Sequence, residues 1–179
     1  MLSAFVLAVS ASSPSPASAQ FVDSPRLRFG IGGELGGFAG AAHGALGGIA
    51  LRLGVQFNEL IAIYWQSQGL LGRFLPAPGD GLAGFSFNTA MLDFTVGNIV
   101  QLGIGPSLDF VWGCSEEHQN ACSSSGAYLG GDARIAVVLG GAGPGRRTGL
   151  ALSLDIHPTW FGDRYAAVAF LLGASYEMY

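Results

Sequence analysis

The sequence predicts an all-β fold: an eight-stranded antiparallel up-and-down transmembrane β-barrel. Three observations point to it. From Arg26 to Tyr179 the chain alternates apolar with small or polar residues in eight stretches separated by turns. Charged residues make up only 11% of the chain and mean hydropathy is +0.43, whereas roughly a quarter of the residues in a soluble domain are charged. Yet no uninterrupted apolar run reaches the ~18 residues of a spanning helix. Only helices and closed barrels satisfy the backbone inside lipid, so an apolar chain without a spanning helix points to a barrel. The 29 glycines suit a narrow barrel interior, which needs small inward side chains and tight curvature.

The elements follow in order. Residues 1–19 read as a cleaved signal peptide: Leu2 to Val9 are apolar, a Ser/Pro-rich stretch follows, and Ala17-Ser18-Ala19 precedes Gln20 in an A-x-A pattern. A basic region before the apolar part is missing. Residues 20–25 form a short N-terminal segment, and 26–179 the barrel. The first strand, 26–38, sets Arg28 and Glu34 on one face and Phe29 on the other. The second, 45–57, is the clearest, with Ile49, Leu51, Leu53, Val55 and Phe57 on one face and Ala50, Arg52, Gly54 and Gln56 on the other. Asn58 marks a tight turn into strand 59–71, which carries Gln66 and Gln68 on its polar face. A long connection, Gly72–Ala83, leads to strand 84–96, with Asp93 inward and Phe94 outward. Gly97-Asn98 is a two-residue hairpin signal. Strand 99–112 sets Gln101 and Asp109 inward and Trp112 outward. The polar connector Gly113–Gly126 holds Cys114 and Cys122. Strand 127–139 sets Asp132 and Arg134 inward. After a Gly-rich turn over 140–147, strand 149–160 carries Asp155, His157 and Thr159 inward and Trp160 outward. Strand 165–178 ends the barrel. Pro106 and Pro158 fall inside strands and imply bulges or strand ends, because a closed barrel has no free edge for a missing N–H.

Two faces emerge. Arg28, Glu34, Arg52, Asp93, Asp109, Asp132, Arg134 and Asp155 alternate inward and predict a paired charge network, since a buried charge is costly unless paired. Aromatics on the apolar face collect at two levels: Phe29, Phe57, Phe94 and Tyr176 near one end, Trp112 and Trp160 near the other. Two such girdles mark the two interfaces of a membrane barrel. Trp65, nearer mid-strand, departs from this pattern.

On these residues the chain resembles the small eight-stranded outer-membrane barrels, the class of OmpX and the OmpA transmembrane domain. The stretch Leu102-Gly-Ile-Gly-Pro-Ser-Leu-Asp-Phe110 looks like a strand of that class, and Ala174-Ser-Tyr-Glu-Met-Tyr179 ends the last strand at an aromatic. The resemblance implies insertion in outer-membrane lipid of a Gram-negative-type bacterium, recognition of the C-terminal strand by the barrel-assembly machinery, and a monomer. Two details depart from the class. Tyr176 and Met178 fall on the lipid face and Tyr179 on the other, and Glu177 stands where an apolar residue is usual. Either the strand ends before Tyr179 or a bulge shifts its register.

Several function classes recede. The eight basic residues are all arginine, scattered except for Arg146-Arg147, so nucleic acid is not an expected partner. Gly30-Ile-Gly32-Gly33-Glu34-Leu-Gly36 lacks a following helix, and the chain has no lysine for a phosphate loop. His118 with two thiols falls short of a metal site, and His43 reads as a loop residue. In an exported chain Cys114 and Cys122 are expected to form a local disulfide. No cofactor, metal or catalytic residue is assigned. His157 with Ser153 would be the candidates of a lipid-modifying enzyme, but both point to the lumen, away from lipid. The expected role is structural, or surface interaction through external loops around a filled lumen. A narrow pore or transporter for small solutes is the alternative, with the lipid-modifying enzyme behind it. A soluble lipocalin-like barrel would require an apolar interior and a polar exterior.

Overall fold

The computed structural model describes residues 25–40, 43–75, 82–115, 121–143, 146–162 and 165–179. The expected signal peptide lies outside them. Eight strands form one closed antiparallel barrel, each pairing with its sequence neighbour and β8 closing on β1. They are β1 (Arg26–Gly40), β2 (His43–Gln56), β3 (Ile61–Leu75), β4 (Leu82–Val96), β5 (Val100–Ser115), β6 (Ala121–Gly143), β7 (Arg146–Trp160) and β8 (Ala166–Met178). Each exceeds the roughly 9–11 residues a tilted strand needs to cross a bilayer. No helix among the described residues is long and apolar enough to cross one.

Alternation decides what each side chain meets. Leu35 and Leu129 are each 71% exposed on the outer surface, and Leu172 is 67% exposed. Arg28, Arg52, Asp93 and Glu177, from the opposite face, are fully or almost fully buried. A soluble monomer rarely leaves apolar patches larger than a few hundred Å² uncovered. An apolar belt around a polar lumen is the pattern of a membrane barrel, and the reverse of the lipocalin-like arrangement.

The turns sort the two ends. Gly97 and Asn98 both adopt positive φ, 58° and 59°, and Ile99 N–H donates to Val96 C=O at 3.1 Å, the signature of a type I′ hairpin. At the β2–β3 turn the Asn58 side chain accepts from Leu60 N–H at 2.9 Å and Ile61 N–H at 2.8 Å. Both chain ends of the barrel lie at this short-turn end, where the backbones of Arg147 and Tyr179 exchange hydrogen bonds.

Several expectations need correction. The strands at the opposite, long-connection end run further than alternation indicates. β6 begins at Ala121, and Cys114 is the direct ladder partner of Cys122. Most of the connector Gly113–Gly126 is therefore hairpin ladder; residues 116–120 lie outside the described residues. The Gly-rich turn over 140–147 is likewise mostly strand. Neither proline sits at a bulge. The β4–β5 ladder runs from Thr89↔Ser107 to Leu92↔Ile104 in unchanged register, omitting only the two pairs around Pro106. The β6–β7 ladder does the same between Gly130↔Thr159 and Ala133↔Ile156, around Pro158. Each missing N–H thus opens one short window on one side of its strand, while the other side stays paired at Pro106↔Gly131 and Pro158↔Val168. The register shift falls instead in the β5–β6 ladder, between Phe110 and Val111, where Gly126 of β6 is the extra residue. Finally, β8 carries strict alternation to Met178 with no bulge, so Glu177 and Tyr179 both enter the lumen.

Candidate functional site: the barrel lumen

The lumen is layered. Toward the short-turn end Tyr179 reaches inward, and its hydroxyl accepts from Gln101 Nε2 at 3.2 Å. Arg28 lies above it, with its guanidinium 5.1 Å from the Tyr179 ring centroid and 4.5 Å from that of Tyr64. These are cation–π distances. Arg28 Nη1 donates to Asp93 at 3.0 Å. In the next layer Arg52 pairs with Glu34 at 3.1 Å and donates through Nε to Gln66 at 2.6 Å. Arg134 lies 3.8 Å from Asp155 and donates to Gln101 Oε1 at 3.0 Å.

Glu177 joins these pairs. Its carboxylate accepts from Arg28 at 3.5 Å, Arg52 at 3.2 Å and Arg134 at 3.2 Å. It comes from the closing strand, so one residue ties three arginines from β1, β2 and β6 together. Gly30 makes room for it: a Cβ there would stand 3.1 Å from Glu177 Oε1. Gly54 does the same for Tyr64, whose Cβ an added Cβ would collide with. Sequence reasoning left Glu177 out of the network. Alternation had already put it on the polar face; the habit of the resembling class, which favours an apolar residue there, pointed away from it.

Asp109 and Asp132 do not join the arginines. They flank His157, whose Nε2 lies 3.0 Å from Asp109 and whose Nδ1 lies 3.5 Å from Asp132. Thr159 donates to Asp109 at 2.6 Å, and Gln66 Nε2 to Asp132 at 2.9 Å. Gln68 adds a bond of 2.8 Å to Glu34. The amides, hydroxyls and imidazole therefore supply donors to carboxylates that outnumber the guanidiniums. The pairing is incomplete: Asp109 Oδ1, Asp132 Oδ1, Asp155 Oδ2, Arg134 Nε and His157 Nδ1 are buried without a hydrogen bond, which in a low dielectric is costly.

Toward the long-connection end the lumen changes character. Phe38, Leu46, Leu70, Phe85, Phe87 and Leu171 form a buried apolar cluster. Phe38 and Phe85 tilt against each other at 5.4 Å, and the His157 ring stacks on Phe87 at 3.9 Å and 11°. The filled polar lumen expected from the sequence is thus charged over part of its depth and apolar at one end. The sequence carried a signal for this. In β4 the inward set Ala83, Phe85, Phe87 and Met91 is as apolar as the outward set Leu82, Leu92 and Phe94, so alternation fades there.

The aromatic positions are on the outer surface. Phe57 is 43% exposed, and Tyr176 and Trp160 about half exposed. Phe94 and Trp112 are also exposed, and Phe29 is partly so. Trp65 projects outward at mid-strand. The buried Ser153 hydroxyl makes no hydrogen bond to His157; the hydroxyl beside that ring is Ser107, 3.3 Å from Nε2. No group of three or more metal-ligating side chains forms among the described residues.

No family signature and no curated protein sequence matches this chain. Solved structures do. Ail, the attachment invasion locus protein of Yersinia pestis, aligns with a TM-score of 0.56 at 16% identity, covering 84% of this chain and 97% of Ail. Neisserial surface protein A, NspA, aligns with a TM-score of 0.58 at 13% identity, covering 86% of this chain and 97% of NspA. A structure of Ail in complex with the heparin analogue sucrose octasulfate aligns with a TM-score of 0.55 at 12% identity, covering 84% of this chain and 97% of that one. At these identities the likeness is one of fold: this chain shares a closed eight-stranded antiparallel barrel with Ail and NspA.

Proposed function

We propose that the chain is an exported integral outer-membrane barrel of a Gram-negative-type bacterium, non-conducting, that acts at the surface through its long connections or reinforces the membrane. The apolar belt supports the membrane location, and the likeness of fold to neisserial surface protein A and to Ail, the attachment invasion locus protein, supports the surface role. The observation that carries the closed lumen is Glu177 bridging Arg28, Arg52 and Arg134 across it. Eight strands leave an interior just wide enough for side chains to fill, and separating such pairs in a poorly hydrated space is expensive. Refolded protein in planar bilayers is expected to show no stable stepwise conductance. Steady channels of uniform size, widened by Arg52→Ala, would establish the pore reading instead.

Protein processed after Ala19 is expected in outer-membrane fractions, entering through recognition of its last strand by the assembly machinery and remaining monomeric in lipid. Recovery as a monodisperse soluble protein would overturn the location. The polyanion bound by Ail is not carried over. The connections at the long end carry Asp80, Glu116, Glu117 and Asp163 against Arg164, a charge balance that disfavours a sulfated ligand.

The enzyme reading is disfavoured by the geometry around His157. A nucleophile needs a base with a free nitrogen lone pair facing it. Here Nε2, the nitrogen near Ser107, lies closer to the Asp109 carboxylate, and Nδ1 faces Asp132. Barrel strands also spend their N–H groups in the ladders, which leaves few backbone donors for an oxyanion.

A Cys114–Cys122 disulfide belongs to the same export reading. The side chains lie outside the described residues, but the backbone positions are direct antiparallel partners. Such partners lie about 4.5–5.5 Å apart at Cα, inside the usual disulfide range of about 4.4–6.8 Å. The bond would clamp the β5–β6 hairpin tip, constraining it by roughly 2–3 kcal/mol, with the barrel folding without it. Both cysteines are expected to resist thiol alkylation in periplasm-matured protein until a reductant is added; labelling of both without reductant would refute the bond.

A further inference from the structure

The apolar end of the lumen contains a cavity of ≈ 230 Å³ that the proposed role does not use. Phe38 of β1, Leu46 of β2, Phe85 and Phe87 of β4 and Ala169 of β8 wall it, while His157 and Thr159 of β7 bound it beside the charge network. Phe161, in the β7–β8 connection, also lines it, which puts its mouth at the long-connection end. We propose that this cavity binds one small, uncharged, apolar molecule about the size of a single substituted aromatic ring, entering from that end.

Size sets the first limit. An apolar cavity of about 150 Å³ lined by aliphatic and aromatic side chains stays dry and binds benzene. The volume here holds such a ring with a small substituent, and falls below the roughly 300–1,000 Å³ of sites for drug-sized ligands.

Lining chemistry sets the second. The two polar side chains at the wall turn to carboxylates: Thr159 donates to Asp109 at 2.6 Å, His157 Nε2 lies 3.0 Å from the same carboxylate, and Nδ1, without a hydrogen bond, lies 3.5 Å from Asp132. A charged or strongly hydrogen-bonding guest would give up its water contacts without replacement, at a cost of a few kcal/mol per group. What the wall offers instead is ring surface. The parallel Phe87–His157 stack and the tilted Phe38–Phe85 pair suit an aromatic guest in an offset or edge-on pose.

The closed end sets the third limit. The arginine–carboxylate layers seal the lumen toward the short turns, so a guest leaves by the way it came. The cavity is a blind receptor, not a stage on a path across the membrane. This goes beyond the surface role proposed above and is tested apart from conductance.

The test uses the full barrel, methyl-labelled and refolded in lipid nanodiscs, titrated with toluene. Saturable shifts are expected at the methyls of Leu46, Val111 and Ala169, all three on the wall, while lipid-facing Leu53 and Leu102 change only linearly as toluene enters the bilayer. Ala169→Phe fills the cavity and is expected to abolish the saturable component while the heat-dependent gel shift of a folded barrel persists. Ala167→Leu, also on the wall, provides the same comparison if the larger substitution prevents folding. Three results would overturn the proposal: pocket and lipid-facing methyls shifting together without saturation, saturation unchanged in the filled variant that folds, or no response together with cross-peaks from residues 76–81 to Phe87, which would show the chain's own connector occupying the site.

Discussion

Glu177→Ala is expected to destabilise the barrel by about 3–5 kcal/mol, the cost of removing one partner from a buried ion pair. The carboxylate is fully buried and shared by three guanidiniums. Each arginine keeps one acid, Arg28 with Asp93, Arg52 with Glu34 and Arg134 with Asp155, but the three positive charges then face one another across an empty centre. The loss falls at the β8–β1 seam, where Glu177 is the ladder partner of Gly30. Glu177→Gln keeps the shape and an acceptor oxygen and is expected to cost less than the alanine variant. Urea unfolding of protein refolded in vesicles, followed by tryptophan fluorescence or gel mobility, reads both. An alanine variant as stable as the parent would remove Glu177 from the centre of the network.

Leu51→Arg is expected to impair insertion by roughly 2–4 kcal/mol, the cost of an arginine on the lipid face near the bilayer midplane. Leu51 is 44% exposed, near the middle of β2 and paired with Ile31 and Ser67. Gln56→Ala, on the opposite face, is the control. Gln56 is not a bystander: it donates to Asn58 C=O at 2.7 Å and accepts from Arg28 at 3.4 Å. Its loss is expected to cost about 1 kcal/mol, as for a typical hydrogen bond. Folding yields into vesicles compare the two, and an equal loss would mean that the faces are reversed.

The facing of each strand was legible because side chains on a strand alternate with period two. In β2 that rule alone separates Leu51 from Arg52. It also puts Glu177 inside without any help from a known class, and Asn98 after Gly97 declares its turn by backbone chemistry alone. Strand ends were less legible. β6 starts at Ala121 because backbone pairing with β5 continues through Ser123, Ser124 and Ser125, whose side chains show no apolar alternation.

Composition and alternation by themselves determined the closed eight-stranded barrel, the apolar outside and the side to which each charge turns. Only the tertiary structure decided who meets whom. Sliding one strand by two residues leaves every residue on the same face, so alternation is silent about depth. Depth comes from the stagger required to close β8 on β1. That stagger sets Arg134 beside Glu177 rather than Asp132, and turns Asp132 and Asp109 toward His157. It also gathers Phe38, Phe85 and Phe87 from separate strands at one level, where a charge network ends and an apolar cavity begins.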